Sequence, residues 1–320
     1  MTSPFGKARI AVAFLFLVLA VNFMAAQTLN HPQGVSPDGK GGAVENAAPT
    51  GQSVTTGNGI NYNGGPVMKA NPVPIYIIWY GNWNGTGSNT AATRTAIEHY
   101  VGTLGNTAPM LIDSTYGDTT GNVSGNVSFG GSTIVSSSTN LSDRSLKSTV
   151  GNAISSGALP NDPNGLYFVL TSSNINETSG FCTKYCGFHT HATLSGSDIK
   201  YSFVGNSDRC PSGCEIQSTG PNSAATGQGG IDGMANVMFH EASEAISDPD
   251  LNAWFDSSGQ ENGDKCNFNF GATSTCTSGT ACTTAGIAAG AKFNQSFGGN
   301  DYMLQQMWKN AGGGACVQHL

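Results

Sequence analysis

The stretch MFHEASEAISDPD, from Met238 to Asp250, holds the residues whose types and spacing are best suited to chemistry. It contains His-Glu-x-x-Glu, which differs only at its last position from the zinc-binding signature His-Glu-x-x-His. On a helix, His240 and Glu244 lie about 40° apart around the axis, so their side chains can reach one point. Glu241 lies at the edge of the same face. The spacing therefore predicts a metal-binding face on a helix.

A neutral imidazole and a carboxylate are ordinary zinc ligands, but a catalytic zinc site needs three protein ligands and one open position. Two other stretches offer further ligands: GQENGDKC contains Glu261 and Asp264, and CGFHTH contains His189. The predicted metal ligands are His240, Glu244, Glu261, Asp264 and His189. Glu241 is the predicted catalytic residue, a general base that would activate a metal-bound water.

Two other interpretations of these residues stay open. The acidic residues Asp248, Asp250 and Asp256, together with Glu261 and Asp264, would suit calcium, which prefers several oxygen ligands. The helix could also carry the same residues without any metal. We predict zinc as the bound ion and keep calcium as the alternative.

The N-terminus predicts export. Two basic residues precede an apolar run from Ile10 to Phe23, and small residues follow at positions 25 and 26. This pattern predicts a secretory signal peptide at residues 1–26, because the apolar run is shorter than the roughly 20 residues of a membrane-spanning helix. We expect a secreted protein, extracellular, cell-surface or periplasmic, with no stable membrane anchor after cleavage.

The cysteines agree with export. The eight cysteines are Cys182, Cys186, Cys210, Cys214, Cys266, Cys276, Cys282 and Cys316. An even number in an exported chain predicts a disulfide framework, whose pairing the sequence does not define. The two Cys-x-x-x-Cys pairs leave a four-cysteine zinc site as an alternative.

Composition limits the partners and the fold. Only 10% of the 320 residues are charged, 44 are glycine, and the formal net charge is −7. Because basic residues are few and scattered, no nucleic-acid partner is expected. Residues 27–65 have little periodic apolar pattern and predict a low-complexity leader or linker. Residues 66–320 are predicted to form a single domain.

Local patterns within that domain alternate between strand and helix. Strand patterns cover VPIYIIWYGNW, PMLIDSTY, VSGNVSFGGSTIVSSS, GLYFVLTS and DIKYSFVGN, and helix patterns cover SNTAATRTAIEHYVGTLG, LSDRSLKSTVGNAISSG and GIDGMANVMFHEASEAISD. This order predicts an α+β fold, a mixed sheet with packed helices, followed by a disulfide-stapled, loop-rich C-terminal part.

Several spaced motifs resemble the EXORDIUM, or phosphate-induced protein, family. They are YNGGPVMKANPVPIYIIWYGNW, FCTKYCGFH, YSFVGNSDRCPSGC, MANVMFHEASEAISDPDLNAWFD, ENGDKC and YMLQQMWKNAGGGAC. The resemblance covers roughly residues 60 to 320 and implies a secreted protein similar to plant cell-wall proteins and their bacterial relatives. The acidic SDPD and the longer low-complexity N-terminus depart from the plant pattern, so a growth-signalling role is not carried over. The element order also resembles the zincin metalloprotease layout, which is an analogy of fold.

Two functions fit these observations. The first is a secreted, zincin-like, metal-dependent peptidase or hydrolase that acts on a peptide or cell-wall polymer. The second is a non-catalytic protein of the cell wall or matrix in which the same residues form a structural site. An open ligand position facing a cleft would favour the first function, and a closed ligand set would favour the second.

Overall fold

The computed structural model describes Met1 and residues 58–217, 220–222, 230–276 and 290–320. The predicted signal peptide beyond Met1, the predicted linker up to residue 57 and Cys282 lie outside these ranges. Within the described ranges, no helix has both the length and the apolar character needed to span a membrane.

The described chain contains four α-helices, which are α1 (Ala91–Leu104), α2 (Asp143–Ser155), α3 (Pro211–Cys214) and α4 (Gly230–Ser247). Its strands are β1 (Asn61–Tyr62), β2 (Val73–Tyr80), β3 (Gly117–Asp118), β4 (Gly121–Asn122), β5 (Val127–Val135), β6 (Leu166–Thr171), β7 (Gly187–Leu194), β8 (Ser197–Val204), β9 (Trp254–Phe255), β10 (Ser274–Thr275), β11 (Lys292–Phe293), β12 (Gln295–Phe297), β13 (Asn300–Tyr302), β14 (Met307–Lys309) and β15 (Ala315–Val317).

A five-stranded sheet in the order β5-β2-β6-β8-β7 forms the centre of the domain. The first four strands are parallel, and β7 runs antiparallel to β8 at the edge. The apolar strand β6 is buried along its whole length, as expected for a parallel strand covered on both faces. The predicted α+β fold with a mixed sheet and packed helices is therefore confirmed.

One predicted strand is wrong. The segment PMLIDSTY contains a 3₁₀ helix, Met110–Thr115, in place of a strand. The hydroxyls of Ser114 and Thr115 donate to the carbonyls of Leu111 and Ile112, three residues earlier. Such local hydrogen bonds from Ser and Thr compete with strand pairing, and the apolar pattern of a short segment does not reveal them.

Three disulfides link described cysteines: Cys182–Cys210, Cys186–Cys214 and Cys266–Cys316. Each cysteine of the first Cys-x-x-x-Cys pair bonds to one of the second pair. The predicted disulfide framework is therefore confirmed for these six residues, and the four-cysteine zinc site is excluded. The third bond closes the loop-rich C-terminal part onto the segment that follows Asp264.

The packed region begins before Pro66. Strand β1 pairs with β9, and Ile60 is fully buried. Pairing across almost two hundred residues provides this segment with a sheet partner, although its Gly- and Asn-rich sequence has no strand periodicity of its own.

Helix α4 is buried along its entire length. Its apolar side packs against the sheet, and Met234, Met238, Ala242 and Ala245 are each at most 2% exposed. Its polar side faces β7 and the segment 261–268, so the His-Glu-x-x-Glu side chains point into the protein and not into solvent.

Candidate metal centre

Three parts of the chain supply the polar side chains that meet beside α4. Helix α4 carries three of them, the edge strand β7 carries one, and the segment that runs from Glu261 into the 3₁₀ helix Asp264–Cys266 carries two. They are His240, Glu241 and Glu244; His189; and Glu261 and Asp264. The first four are buried, and Glu261 and Asp264 are partly buried, with 12% and 9% of their side chains exposed. The structure therefore brings together every residue predicted for the site.

The first half of the site lies on α4. The Nε2 atom of His240 is 2.9 Å from Oε1 of Glu244 and 3.6 Å from Oδ1 of Asp264. Despite this short separation, His240 Nε2 has no aligned hydrogen-bond partner. Glu241 belongs to the same group, because a ligand atom from His240, Glu241 and Glu244 can be chosen so that all lie within 4.8 Å of one another. The three side chains are therefore close enough to share one metal ion.

Gln305 fixes the orientation of the His240 ring. The Gln305 amide group donates to the carbonyl of Gly263 at 2.8 Å, and its oxygen accepts from the backbone N–H of Phe268 at 3.4 Å. The same oxygen lies 3.2 Å from Nδ1 of His240, so Nδ1 carries a proton and donates. In the neutral ring, Nε2 then presents a lone pair toward the carboxylates. Such support of the distal nitrogen is typical of a metal-binding histidine.

The second half of the site lies between β7 and the loop. The Nε2 atom of His189 is 2.9 Å from Oε2 of Glu261 and 3.8 Å from Oε2 of Glu244. These three residues form a second group of possible ligands. Glu244 belongs to both groups and offers one oxygen to each.

The site concentrates negative charge without a basic partner. No Lys or Arg among the described residues forms an ion pair with Glu241, Glu244, Glu261 or Asp264. Several buried atoms of the site also lack a hydrogen-bond partner: His189 Nδ1, His240 Nε2, Glu241 Oε2, Glu261 Oε1 and Asp264 Oδ1. Buried charges and unpaired polar atoms are costly, and a bound cation would compensate both.

The pKa values follow from this burial. Desolvation raises the pKa of Glu241, Glu244 and Glu261, with further increases from neighbouring carboxylates. Burial lowers the pKa of His189 to about 4. Burial also acts to lower the pKa of His240, but the negative charge of Glu244 and the proximity of the Asp264 carboxylate outweigh this effect and raise that pKa well above 6.5. Without a cation, the three glutamates and His240 therefore favour their protonated forms, whereas His189 favours its neutral form.

Two glycines let the backbone approach the ligands. A Cβ at Gly263 would lie 2.9 Å from Oε1 of Glu244 and 3.0 Å from the His240 ring. A Cβ at Gly187, at the start of β7, would lie 2.5 Å from Val237 and 3.0 Å from Oε1 of Glu241. Any larger residue at either position would displace a ligand side chain.

We expect Gly263→Ala to weaken metal binding by about tenfold or more, because the new methyl group displaces Glu244 and His240. Affinity for Zn²⁺ measured by competition with a chromophoric chelator checks this. Gly151→Ala in α2 is the control, since its Cβ would meet only Leu194 at an ordinary 3.5 Å. The control should leave affinity unchanged. Equal affinities for the two variants would place the metal away from Gly263.

The other acidic residues considered for calcium have protein partners. Asp248 accepts from the backbone N–H groups of Asn252 and Ala253, both at 2.6 Å. Asp250 lies 3.1 Å from the Lys200 ammonium, and Asp256 lies 3.0 Å from that of Lys265. These contacts already engage the three carboxylates, and the groups of possible ligands on α4 include none of them.

A small cavity adjoins the site. It has a volume of about 10 Å³ and is bordered by His240, Glu241, Gly187 and Phe268, among others. This is room for about one water molecule. Glu241 therefore lies beside a space of the size that a reacting water would need.

Gln305, Gly187 and Gly263 were not predicted from the sequence as parts of the site. Gln305 lies in the stretch DYMLQQMWK, in which nothing marks one Gln as the partner of a histidine 65 residues away. The two glycines are among 44 in the chain, so their type alone carries no signal.

Comparison with known proteins places the chain among its relatives. A family model described as the phosphate-induced protein 1 conserved region matches residues 60–318. Protein EXORDIUM-like 5 of Arabidopsis thaliana is 31% identical over 222 residues, which are 61% of this chain and 59% of the relative. Protein EXORDIUM-like 3 of the same plant is 31% identical over 219 residues, which are 61% of this chain and 64% of the relative. The match thus spans about three fifths of the length of these curated relatives. No solved structure matches the chain.

Proposed function

Because the chain belongs to the phosphate-induced protein 1 family, we propose that it is a secreted, EXORDIUM-like protein of the extracellular space whose α4 helix binds zinc in a structural site. The observation that carries this proposal is the convergence of two imidazoles and four carboxylates in a largely buried site, where no Lys or Arg of the described ranges pairs with a carboxylate. The partner would be a cell-wall or matrix polymer.

The disulfides support export. Three bonds between described cysteines are typical of a chain that folds in an oxidising compartment. The predicted signal peptide at residues 1–26 would direct the chain to export. We therefore place the mature chain outside the cytoplasm.

The donor set favours zinc over calcium. Two imidazoles face the site, and calcium sites in proteins are built from oxygen ligands. Zinc and similar transition metals accept imidazole and carboxylate together. Burial favours a structural role, because a catalytic metal needs an open position that a substrate can reach.

The first test is the metal content of the protein. We expect the full secreted chain, purified without chelator, to contain bound zinc by elemental analysis. His240→Ala should lower the affinity of the α4 site by more than about 100-fold, since it removes a ligand and leaves carboxylates facing one another. His99→Ala is the control, because the exposed His99 on α1 hydrogen-bonds the Gly298 carbonyl through its ring and belongs to no group of possible ligands among the described residues. Protein without metal, even after incubation with zinc, would overturn the proposal.

A second candidate function is a metal-dependent hydrolase. The water-sized cavity beside Glu241 and His240 favours it. A zinc ion bound there would make a neighbouring water more acidic. Glu241 would hold the proton taken from that water, and burial raises the pKa of its carboxyl group, which makes the carboxylate a stronger base.

Glu241→Gln separates the two candidates. If Glu241 acts as a base, the variant should retain zinc but lose about 10²–10⁴-fold of the activity of the wild-type protein on peptide or polysaccharide libraries. If the site is structural, the wild type should have no such activity and the variant should bind zinc more weakly. Activity and zinc affinity are therefore measured on the same preparations.

A further inference from the structure

Glu244 faces both halves of the site at once. Its Oε1 lies 2.9 Å from Nε2 of His240, and its Oε2 lies 3.8 Å from Nε2 of His189. The possible ligands around it fall into two groups, and no group among the described residues takes in both histidines. One carboxylate thus joins two separate sets of ligand atoms, each with one imidazole.

We propose that the site binds two divalent transition-metal ions bridged by the carboxylate of Glu244. This inference rests on the proposed function and extends it from one ion to a pair. One ion is held by His189, Glu261 and Oε2 of Glu244. The other is held by His240, Glu241 and Oε1 of Glu244, with Asp264 beside it.

Charge supports two ions over one. Four carboxylates surround the site, and no Lys or Arg among the described residues pairs with them. A single divalent cation would leave two negative charges in a buried environment, which is costly. Two divalent cations would balance all four carboxylates with both histidines neutral.

The unpaired atoms are distributed over both halves. His240 Nε2, Glu241 Oε2 and Asp264 Oδ1 lie in one half, and Glu261 Oε1 lies in the other. A single ion near α4 would leave Glu261 unsatisfied. Ions that share a carboxylate bridge lie about 3.5–4 Å apart, which a single Glu side chain between two imidazoles can span.

A neighbouring cluster offers a built-in comparison. His191 lies two residues from His189 on β7, and its Nδ1 is 2.8 Å from Asp198 and 3.8 Å from Asp250. These three residues also form a group of possible ligands. However, the Lys200 ammonium already lies 2.7 Å from Asp198 and 3.1 Å from Asp250 and supplies the positive charge. We expect no metal there.

The number of zinc ions bound per chain tests whether the site holds two ions. The full secreted chain is stripped with dipicolinate, reloaded with Zn²⁺, freed of excess metal and analysed by mass spectrometry of the elements. We expect about two zinc ions per wild-type chain. His189→Gln and His240→Gln should each retain about one. His191→Gln should retain both, and far-UV circular dichroism verifies that each variant folds.

A separate measurement tests whether Glu244 bridges the two ions. Loading with Mn²⁺ should give the multiline electron paramagnetic resonance spectrum of an exchange-coupled pair. Glu244→Gln, which lacks the second anionic oxygen, should lose that coupling and leave a six-line signal from a single ion. His191→Gln should keep the coupled spectrum.

The possible results distinguish the ion pair from the proposed single site. One zinc ion in the wild type that persists in His189→Gln would overturn the pair and leave the proposed single site intact. Zero zinc would overturn both. Two ions of which His191→Gln loses one would place the second ion with Asp198 and Asp250, and would overturn the bridge. Two ions without magnetic coupling would also reject it.

Discussion

Removal of the proposed zinc ion is expected to lower the melting temperature at pH 8 by about 10 °C or more and to reverse the pH dependence of stability. Without a cation, Glu241, Glu244 and Glu261 are buried next to one another, and burial raises the pKa of each. At pH 8 these groups must either ionise without compensation or hold a proton at a cost. A tightly bound ion removes that cost.

The sign of the pH effect in the metal-free protein follows from the direction of these shifts. A carboxyl whose folded pKa is raised binds its proton more tightly in the folded state, so its contribution to stability is lost as pH rises from the unfolded pKa to the folded pKa. Asp248 adds to this, since burial raises its pKa to about 6. The raised pKa of Asp248 alone contributes about 3 kcal/mol to the free energy of unfolding, and this contribution is lost between roughly pH 4 and pH 6.

The two histidines oppose each other. The raised pKa of His240 adds stability that is present below pH 6.5 and lost as pH rises further. The lowered pKa of His189, about 4, acts in the opposite direction between pH 4 and pH 6.5. The effect of His189 on stability is smaller than the combined opposite effect of the three glutamates, Asp248 and His240. The free energy of unfolding of the metal-free protein should therefore fall as pH rises from 5 to 8.

The metal-loaded protein should behave in the opposite way. Ligands bind metal when deprotonated, so acidification from pH 8 to pH 5 releases the ion and its contribution to stability. Thermal melts of chelated and zinc-saturated samples at matched pH values and salt measure both slopes. Parallel slopes for the two samples would contradict a metal site at these carboxylates. A sample saturated with calcium is the control and should follow the chelated one.

The second large effect is expected on removal of the Cys266–Cys316 disulfide. This bond closes a loop of 50 residues, and its loss should lower the free energy of unfolding by about 4 kcal/mol, by the entropy of loop closure. Cys266 follows Asp264 by two residues and lies in the same 3₁₀ helix. The paired change to Ser should therefore also loosen the loop that positions Glu261 and Asp264, and should weaken zinc binding by about 10–100-fold.

The Cys182–Cys210 disulfide provides the matched control. It joins the same two segments as Cys186–Cys214, so one bond remains when the other is removed. The paired change of Cys182 and Cys210 to Ser should cost less stability and leave zinc affinity unchanged. Urea unfolding and zinc titration of both double variants measure the two effects. The same loss of affinity in both would show that general destabilisation, and not the position of the loop, is responsible.

Local features of the site could be predicted from the sequence. The His-Glu-x-x-Glu spacing places His240 and Glu244 on one face of α4, because a helix repeats every 3.6 residues whatever surrounds it. The hydrophobic patterns of β2, β6 and α2 likewise define these elements. Even so, local hydrogen bonds turned PMLIDSTY into a 3₁₀ helix, against its apolar pattern.

The even number of cysteines and the predicted signal peptide predicted the disulfides but not their pairing. The cross-linked arrangement of the two Cys-x-x-x-Cys pairs depends on how the segment before β7 lies against α3. In the same way, Gln305 reaches His240 from 65 residues away, and only packing brings the two together.

By itself, the sequence determined the family, the ligand types and the helix that carries three of them. Tertiary structure decided that β7 runs antiparallel at the edge of the sheet, where His189 faces Glu244 and His191 faces Lys200 through Asp198. It also decided that the polar face of α4 is buried and that Glu244 lies between two imidazoles. The physical reason is the separation along the sequence of the residues involved. Helix geometry is determined by neighbouring residues, whereas contacts between distant segments depend on the packing of the whole domain.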